Sequence, residues 1–300
     1  MPVVPPEETT VEVVGVATAN PQAPGGVEVT EPVTWRHPAQ RAKWELAAAS
    51  LRGFRETLDG AGFTEIQTPK LVASATESGA NVFQVDYFGR PAYLAQSPQF
   101  YKQQMVGVFE RVYEVGPVFR AEPHDTVRHL AEYVSLDAEL GFIEDHRDVL
   151  RALREVLAGM VGAIHEYAAP AVELTGAWAL AEHGSDFLAV EGYPMAKRPF
   201  YTHPQADDAR WSNSFDLLFR GLELVTGGQR LHRPSDYDGA IRARGEDPAT
   251  YAAYLQAFEH GMPPHGGFAI GLERWTGRVV EAANVREVTL FPRDLHRLTP

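Results

Sequence analysis

Charged residues interrupt three segments whose strand patterning predicts apolar positions, and each set is suited to binding a phosphorylated ligand. In the first segment, Arg120 and Glu122 directly follow one predicted strand, and Arg128 and His129 precede the next. Charge on a core element needs a partner or a function. Two arginines that flank a hairpin loop can present forked guanidinium donors to phosphate oxygens. This segment therefore predicts a phosphate-binding hairpin.

The second segment, residues 266–274, is a strand of small residues that leads into a helix. Its glycines, Gly271 among them, allow a ligand to approach the backbone closely. Arg274 falls on the first turn of the predicted helix, where a triphosphate or an adenine could meet it. The segment predicts a second contact with the same kind of ligand.

The third segment carries Asp216, Glu223 and Thr226 ahead of a Gly-Gly turn and Arg230. Hard oxygen donors of this kind suit a magnesium ion that keeps several waters and bridges phosphates. Because Glu223 and Thr226 are three residues apart, an ideal strand would point them to opposite faces. Joint coordination therefore requires a bend before the glycine pair.

The composition limits the class of protein to which these segments belong. The 300 residues include 27 Lys and Arg against 40 Asp and Glu, for a net charge of −13, and no cysteine. The absence of cysteine excludes disulfides, a thiol nucleophile and cysteine-ligated metal centres. No apolar run approaches the roughly 20 residues of a membrane span, and the N-terminus lacks a signal-peptide pattern, so we expect a cytoplasmic protein without a membrane partner. The negative charge opposes broad nucleic-acid binding but leaves room for a local basic strip.

The elements that must position these residues are runs of strands with helices grouped between them. Periodicity predicts helices at 38–60, 146–167 and 272–283 and strands at 111–119, 133–142 and 214–225. This order favours an α+β domain on a largely antiparallel sheet. The proline-rich first 35 residues predict a short β-hairpin, which is too small to be stable alone.

In chain order, the motifs resemble those of class II aminoacyl-tRNA synthetases. GFTEIQTP (62–69) resembles motif 1, FRAE…RH (119–129) motif 2 and GGFAIGLER (266–274) motif 3. The runs YLAQSPQFYKQ (93–103) and FDLLFRGLELVTGGQRLHR (215–233) look like an aspartyl-tRNA synthetase of the archaeal type. Asparaginyl-tRNA synthetases and ammonia-dependent asparagine synthetases are relatives of that fold. The resemblance covers residues 36–300 and implies the class II fold, an antiparallel sheet flanked by helices.

The resemblance also implies a role for each matching position. It implies that ATP is bound by Arg120, Glu122, Arg128, His129, Tyr133, Glu223, Gly271 and Arg274, with Arg120, Arg128 and Arg274 as the catalytic cations. It implies Mg²⁺ ligands at Asp216, Glu223 and Thr226. It places the α-ammonium of an amino acid at Glu77, Gln99 and Asp137, with Ser97 in the same wall, and a side-chain carboxylate at Lys102 and Arg230. Because two buried cations are costly to leave facing a neutral amide, this pair favours aspartate over asparagine.

The implied reaction is attack of the aspartate α-carboxylate on the α-phosphate of ATP, which gives aspartyl-adenylate and pyrophosphate. An ionised carboxylate needs no general base, so catalysis would consist of positioning and of charge stabilisation by the arginines and Mg²⁺. The resemblance further implies a homodimer built on the helix that ends near Gly60 and the strand that runs to Pro69.

The N-terminal segment departs from the family pattern. Family members begin with an anticodon-reading OB-fold, whereas residues 9–29 resemble only its last strands, which cannot close a barrel. We therefore interpret residues 1–35 as a hairpin remnant with a linker and residues 36–300 as the catalytic domain. This favours an acyl acceptor other than a conventionally recognised tRNA. Three alternatives stay open: charging of tRNA through its acceptor arm alone, an ammonia-dependent asparagine synthetase, and a non-catalytic regulatory paralogue.

Overall fold

The computed structural model describes residues 13–14, 17–19, 27–29, 33–34, 38–76, 81–123, 126–167 and 185–298, with side chains from residue 40 onward except Tyr167. The described residues form six α-helices: α1 (Pro38–Gly60), α2 (Gln99–Phe109), α3 (His146–Tyr167), α4 (Pro234–Ala243), α5 (Ala252–Glu259) and α6 (Leu272–Val279). Their strands are β1 (Val13–Val14), β2 (Ala17–Ala19), β3 (Val27–Val29), β4 (Val33–Thr34), β5 (Thr64–Glu65), β6 (Leu71–Val72), β7 (Gln84–Tyr87), β8 (Arg90–Leu94), β9 (Arg111–Phe119), β10 (Glu132–Gly141), β11 (Phe187–Glu191), β12 (Ser214–Phe219), β13 (Leu222–Gln229) and β14 (His265–Gly271). Short 3₁₀ helices lie at Met195–Lys197, Pro248–Tyr251 and Val285–Val288.

A seven-stranded sheet in the order β11-β12-β13-β14-β10-β9-β5 forms the centre of the molecule. Its neighbouring strands are antiparallel, except that β5 runs parallel to β9. A separate three-stranded sheet has the order β6-β8-β7. The prediction of an α+β fold on a largely antiparallel sheet is confirmed.

Strand β10 divides its side chains between the core and a polar cleft, because successive residues of a strand point to opposite faces. One set is apolar and packs on or in the main core, with Val134, Leu136, Ala138 and Leu140. The other set is polar and consists of Tyr133, Ser135, Asp137 and Glu139. Helices α1, α3 and α6 and other strands of the sheet complete the main core, with Leu46, Leu153 and Trp275 among its buried members.

A second, smaller core is rich in aromatic residues and joins α2, α4 and α5. Phe100 stacks on Tyr254 with ring centroids 4.3 Å apart, and Tyr237 lies 4.5 Å from Phe258. The Tyr237 hydroxyl donates to the Leu231 carbonyl oxygen at 2.8 Å. This core supports the chain just beyond β13, where Arg230 leaves the sheet.

The structure confirms the predicted bounds of α1 and α3 and corrects two other elements. The predicted strand 214–225 is wrong, because it is a hairpin of β12 and β13. Arg220 and Gly221 form its turn with φ values of 48° and 75°, the left-handed pair that tight hairpins use. The predicted helix 272–283 ends early, because Glu281 has φ 53° and the amide of Ala282 bonds back to Gly277 at 2.8 Å, which is a Schellman termination.

The N-terminal hairpin can be compared with the prediction only in part. Strand β2 pairs antiparallel with β3, and β1 pairs antiparallel with β4. Residues 1–12, 15–16, 20–26 and 30–32 lie outside the described residues. The division into segments 1–35 and 36–300 therefore stays a prediction.

Candidate active site

A cavity of about 550 Å³ lies over the polar face of β10. Its lining includes most of the sequence-predicted site residues, namely Ser97, Gln99, Lys102, Arg120, Glu122, Arg128, His129, Tyr133, Asp137, Glu223, Thr226, Arg230, Gly271 and Arg274. Asp216 lies beside the cavity, opposite Thr226 in the sheet. Glu77 falls outside the described residues. Residues from β10, β12, β13 and β14, from α2 and α6, and from the loops between them are thus brought to one cleft.

Two cations and two carboxylates form a buried network at one end of this cleft. The Nζ of Lys102 lies 2.9 Å from Asp137 Oδ1 and 3.3 Å from Glu139 Oε2. The Nε of Arg230 donates to Glu139 Oε1 at 3.1 Å. All four side chains are more than nine-tenths buried. Each of the two predicted cations is therefore already paired with a carboxylate, and the four side chains together are electrically neutral.

Glu139 is the carboxylate that links the two cations. Burial raises the pKa of its carboxyl, but Arg230, Lys102 and His265 outweigh that effect and lower it. Gly267 is opposite Glu139 in the sheet, and a Cβ there would overlap Glu139 Oε2, so only glycine allows this close approach. Sequence reasoning gave Glu139 no role. Its signal was an acidic residue two positions after Asp137 on a strand whose alternate positions are apolar.

Three arginines approach the cleft from three different elements. Arg120 follows β9, and its amide donates to the Ala131 carbonyl oxygen at 2.9 Å. Arg128 lies in the loop that leads to β10. Arg274 lies on the first turn of α6, as predicted, and its Nη1 donates to the Glu223 carbonyl oxygen at 3.3 Å. Convergent guanidinium groups of this kind can share the charge of a polyphosphate.

An irregularity in β13 supplies the bend that the spacing of Glu223 and Thr226 requires. Leu217 pairs with Val225 but Leu218 pairs with Glu223, so Leu224 is an extra residue. The bulge turns Glu223 to the same face as Thr226, whose Oγ1 donates to Glu223 Oε1 at 3.3 Å. Both side chains are exposed in the cleft.

Asp216 is engaged elsewhere, although it shares that face of the sheet. Its Oδ1 accepts from Arg198 Nη2 at 3.0 Å, and it hydrogen-bonds with the Tyr193 hydroxyl. Arg198 also stacks over the Tyr193 ring at 3.9 Å and lines the cavity. Within the described ranges, no three His, Asp or Glu side chains are grouped to hold a metal ion. Glu223 and Thr226 fit Mg²⁺ as a carboxylate and a hydroxyl that leave other positions to phosphate or water, whereas Asp216 would have to exchange its bond with Arg198 for the ion.

The cleft has a length that the strands define. Arg230 Nη2 donates to the Gly267 carbonyl oxygen at 3.0 Å, and Lys102 Nζ donates to that of Phe268. From Gly267 to Gly271, just before Arg274, the strand advances about 13 Å. The buried ionic network and the arginines are therefore separated by enough space for an amino acid joined to a nucleotide phosphate.

Glu273 is an acidic residue of the cavity lining that sequence reasoning did not assign. Its carboxylate accepts the Val134 amide at 3.1 and 3.2 Å, beside Tyr133. Burial raises the pKa of this carboxyl to about 7, and the nearby charge of Glu132 adds to the effect. Glu273 therefore titrates near neutral pH at the arginine end of the cleft.

Comparison with known proteins gives consistent matches across this region. A family profile described as tRNA synthetases class II (D, K and N) matches residues 30–295. The aspartate--tRNA(Asp/Asn) ligase of Thermus thermophilus is 42% identical over 369 residues, which cover 98% of this chain and 87% of that protein. A putative aspartyl-tRNA synthetase from Leishmania major is similar in structure, with a TM-score of 0.78, 30% identity and coverage of 89% of this chain and 67% of that one. Asparaginyl-tRNA synthetase from Pyrococcus horikoshii, solved with asparaginyl-adenylate, has a TM-score of 0.75 and 26% identity, and the match covers 96% of this chain and 83% of that one.

Proposed function

The chain belongs to the class II tRNA synthetases of the D, K and N group, and on that premise we propose that it activates L-aspartate with ATP and Mg²⁺ to form aspartyl-adenylate. Membership of this family makes it an ATP-dependent ligase. The observation that supports aspartate and ATP together is the single cavity with three arginines at one end and the Lys102–Arg230 pair at the other. The aspartate--tRNA ligase names of its relatives agree with this assignment.

In the proposed reaction, an oxygen of the aspartate α-carboxylate attacks the α-phosphorus of ATP. The bond from that phosphorus to the oxygen bridging to the β-phosphate breaks, and pyrophosphate leaves. No proton moves, so no general base is required. Arg120 would hold the α-phosphate beside the carboxylate, while Arg128 and Arg274 would hold the γ-phosphate, so that positioning and fixed charge lower the barrier.

The nucleotide base and the metal have their own proposed contacts. Glu122 would accept the adenine amino group, Tyr133 would stack on the ring, and His129 and Gly271 would complete the ATP wall. Asp216, Glu223 and Thr226 would hold Mg²⁺, which fits because the bulge at Leu224 brings the Glu223 and Thr226 oxygens together. Bound Mg²⁺ would neutralise charge that develops on the leaving pyrophosphate.

For the amino acid, Asp137 and Gln99 would bind the α-ammonium, with Ser97 and Glu77 in the same wall. The ammonium would then share Asp137 with Lys102, which leaves Lys102 and Arg230 with only Glu139 between them. A substrate carboxylate restores the charge balance, whereas a neutral amide does not. The same placement argues against an asparagine synthetase, because a β-carboxylate held by Lys102 and Arg230, beside Gly267 and Phe268, would lie about 10 to 13 Å along β14 from Gly271 in the proposed ATP wall.

For the acyl acceptor we propose tRNA, since the relatives' names specify tRNA(Asp/Asn). The alternative of another acceptor was inferred from the N-terminal segment, whose side chains lie outside the described residues. It stays a prediction, and the two can be separated directly. Charging of tRNA(Asp) or tRNA(Asn) transcripts with labelled aspartate, measured by acid precipitation, would support tRNA; adenylate formation without charging would support another acceptor.

The test of the first step is ATP–pyrophosphate exchange with single amino acids. We expect exchange that depends on both aspartate and Mg²⁺ and is at least about a hundredfold slower with asparagine. Arg120→Gln should lower the rate by about a hundredfold or more. The matched control is Arg242→Gln, which removes only an exposed ion pair with Asp238 on α4 and should leave exchange unchanged. Exchange with asparagine but not aspartate would contradict the proposal.

A further inference from the structure

The chain that follows α6 lies against the loop carrying Arg128, through contacts that the proposed reaction does not use. The amide of Val285 donates to the Val127 carbonyl oxygen at 2.8 Å. The amide of Ala131 donates to the Arg293 carbonyl oxygen at 2.8 Å. A small apolar cluster joins the same two segments. The C-terminal segment thus holds the loop at Val127 and at Ala131, on either side of Arg128.

Arg286 is a charged side chain of this segment that reaches the loop. Its Nη1 donates to the Thr126 carbonyl oxygen at 3.2 Å. The same oxygen accepts the His129 amide at 3.2 Å, which is the bond that closes the turn 126–129. The Thr126 hydroxyl lies 2.6 Å from His129 Nδ1, so the turn is tied twice. Arg128 is inside this turn, and Arg286 therefore bonds to the atom on which the direction of Arg128 depends.

Asp294 holds Arg286 in place from the other side. Its Oδ2 accepts from Arg286 Nε at 2.6 Å, and its Oδ1 accepts the amides of His296 and Arg297 at 2.9 Å each. Burial raises the pKa of the Asp294 carboxyl, but these hydrogen bonds outweigh it and lower the pKa to about 2. The anchor is therefore ionised at any pH at which the protein would be assayed.

We propose that Arg286 is a positioning residue for ATP: it fixes the turn 126–129 through the Thr126 carbonyl and so holds Arg128 ready for the phosphates. The inference rests on the proposed function in one respect, the contact of Arg128 with ATP. A guanidinium can bond Asp294 and the carbonyl together, whereas an ammonium on the same stem offers no rigid fork for both. A turn ordered before ATP arrives removes that ordering cost from the binding step.

The kinetic test compares Arg286→Gln and Arg286→Lys with the control Arg242→Gln in ATP–pyrophosphate exchange. We expect Arg286→Gln to raise the KM for ATP about tenfold and Arg286→Lys to raise it about threefold. The KM for aspartate should change less than about twofold, because the amino-acid end of the cleft does not contact this segment. The control should match the wild type in both KM values.

A double-mutant cycle separates positioning from a general structural role. If Arg286 acts through Arg128, the variant with both Arg286→Gln and Arg128→Gln should bind ATP no worse than Arg128→Gln alone. Amide hydrogen exchange gives a second readout: Arg286→Gln should speed exchange in a peptide covering 126–131 and not in one covering α4. Asp294→Asn, which keeps the side-chain shape, should act in the same direction if Arg286→Gln does not fold.

Three results would overturn the inference: equal increases in both KM values with a lowered melting temperature, additive losses in the cycle, or unchanged exchange in 126–131. A failure of the proposed function looks different. In that case the wild type would show no aspartate-dependent exchange of pyrophosphate, while the hydrogen-exchange comparison would still decide whether Arg286 orders the turn.

Discussion

At the residue scale, Glu139 determines whether the two buried cations can coexist. Lys102 and Arg230 both contact it, at 3.3 and 3.1 Å, and all three side chains are buried. A buried charge that loses its partner is strongly destabilising, whereas an exposed ion pair contributes little. Glu139 is therefore required for the stability of the site, whether or not a substrate is bound.

We predict that Glu139→Gln lowers the free energy of unfolding by about 3 kcal/mol, because it leaves two buried cations with Asp137 as their only carboxylate. Urea denaturation measures the loss. The control is Glu45→Gln, which removes the exposed pair with Arg41 and should cost less than about 0.5 kcal/mol. Similar small losses in both variants would show that the buried network is not the strong interaction described here.

Glu273 makes the stability of the protein depend on pH near neutrality. Its carboxyl has a pKa of about 7 in the folded chain, above the ordinary value of 4.5. Between these two values the folded state binds more protons than the unfolded state, so stability falls as the pH rises. The contribution is complete below about pH 4.5 and is lost as the pH passes through 7.

We predict that the free energy of unfolding falls between pH 5 and pH 8 by up to about 3 kcal/mol more in the wild type than in Glu273→Gln. The glutamine keeps an oxygen for the Val134 amide, so the comparison isolates the charge. Buried His265, whose pKa burial lowers to about 4, contributes equally to both proteins and cancels in the difference. Parallel pH profiles would refute the assignment.

At the scale of elements, the bulge in β13 matters more than any regular part of that strand. It brings an acidic side chain and a hydroxyl three residues apart to one face of the sheet. A regular strand would put one of them in the core. The requirement for a bend could be predicted from spacing, but the position of the extra residue could not, because it depends on pairing with β12.

We predict that the Thr226 hydroxyl, not the side-chain shape, sets the magnesium requirement. Thr226→Ser keeps the oxygen and should leave the Mg²⁺ concentration for half-maximal exchange unchanged. Thr226→Val keeps the shape and should raise that concentration about tenfold. Titration of Mg²⁺ in the exchange assay decides, and equal behaviour of the two variants would remove Thr226 from the metal site.

At the scale of the whole molecule, the edge of the main sheet offers a place for a second copy. Strand β5 is the last strand of the sheet, pairs on one side with β9, and follows α1. An unpaired strand edge is a template for pairing with another chain. We therefore propose a homodimer through α1 and β5, and a cytoplasmic location stays a prediction. No described helix is long and apolar enough to cross a bilayer.

We predict a mass of twice 33.1 kDa in sedimentation equilibrium at micromolar concentration. Ser50 lies on α1, but its substitution does not test the dimer, because its buried hydroxyl accepts a hydrogen bond from Trp275 of the same chain and the change would disturb the monomer itself. A mass of 33.1 kDa at every concentration would exclude the dimer.

The sequence predicts the parts of this fold whose signals are local. The long amphipathic helices α1 and α3 have their predicted bounds, because 22 or 23 residues of helical periodicity leave little ambiguity. The strand β9 also has its predicted bounds. Helices α4 and α5 were not predicted, since both are short and their apolar faces pack on aromatic residues from other parts of the chain, such as Phe100 and Phe200. The turn at Arg220 was missed because arginine is a rare residue for a left-handed turn position.

The candidate site was predictable where one short motif holds the residues and not where partners are distant. Arg120, Arg128 and Arg274 stand in such motifs and line one cavity. Glu139 pairs with Arg230, 91 positions away, so the residues next to either one give no indication of the pair.

The alignment with the Thermus thermophilus protein runs over 369 positions, more than the 300 residues here, so it includes positions at which this chain has no residue.

The alternation of polar residues along β10 gives the cleft a fixed scale of length. Tyr133, Ser135, Asp137 and Glu139 recur every second residue, about 6.6 Å apart along the strand. When the side chain of a substrate is bound beside Glu139, the length of that side chain sets how far along the strand its α-carboxylate lies. Glutamate, longer by one methylene, would carry its α-carboxylate about 1 Å past the point of in-line attack, an error that can cost a hundredfold in rate. On the proposed function, we therefore expect this chain to prefer aspartate over glutamate by length, although the charge of glutamate is correct.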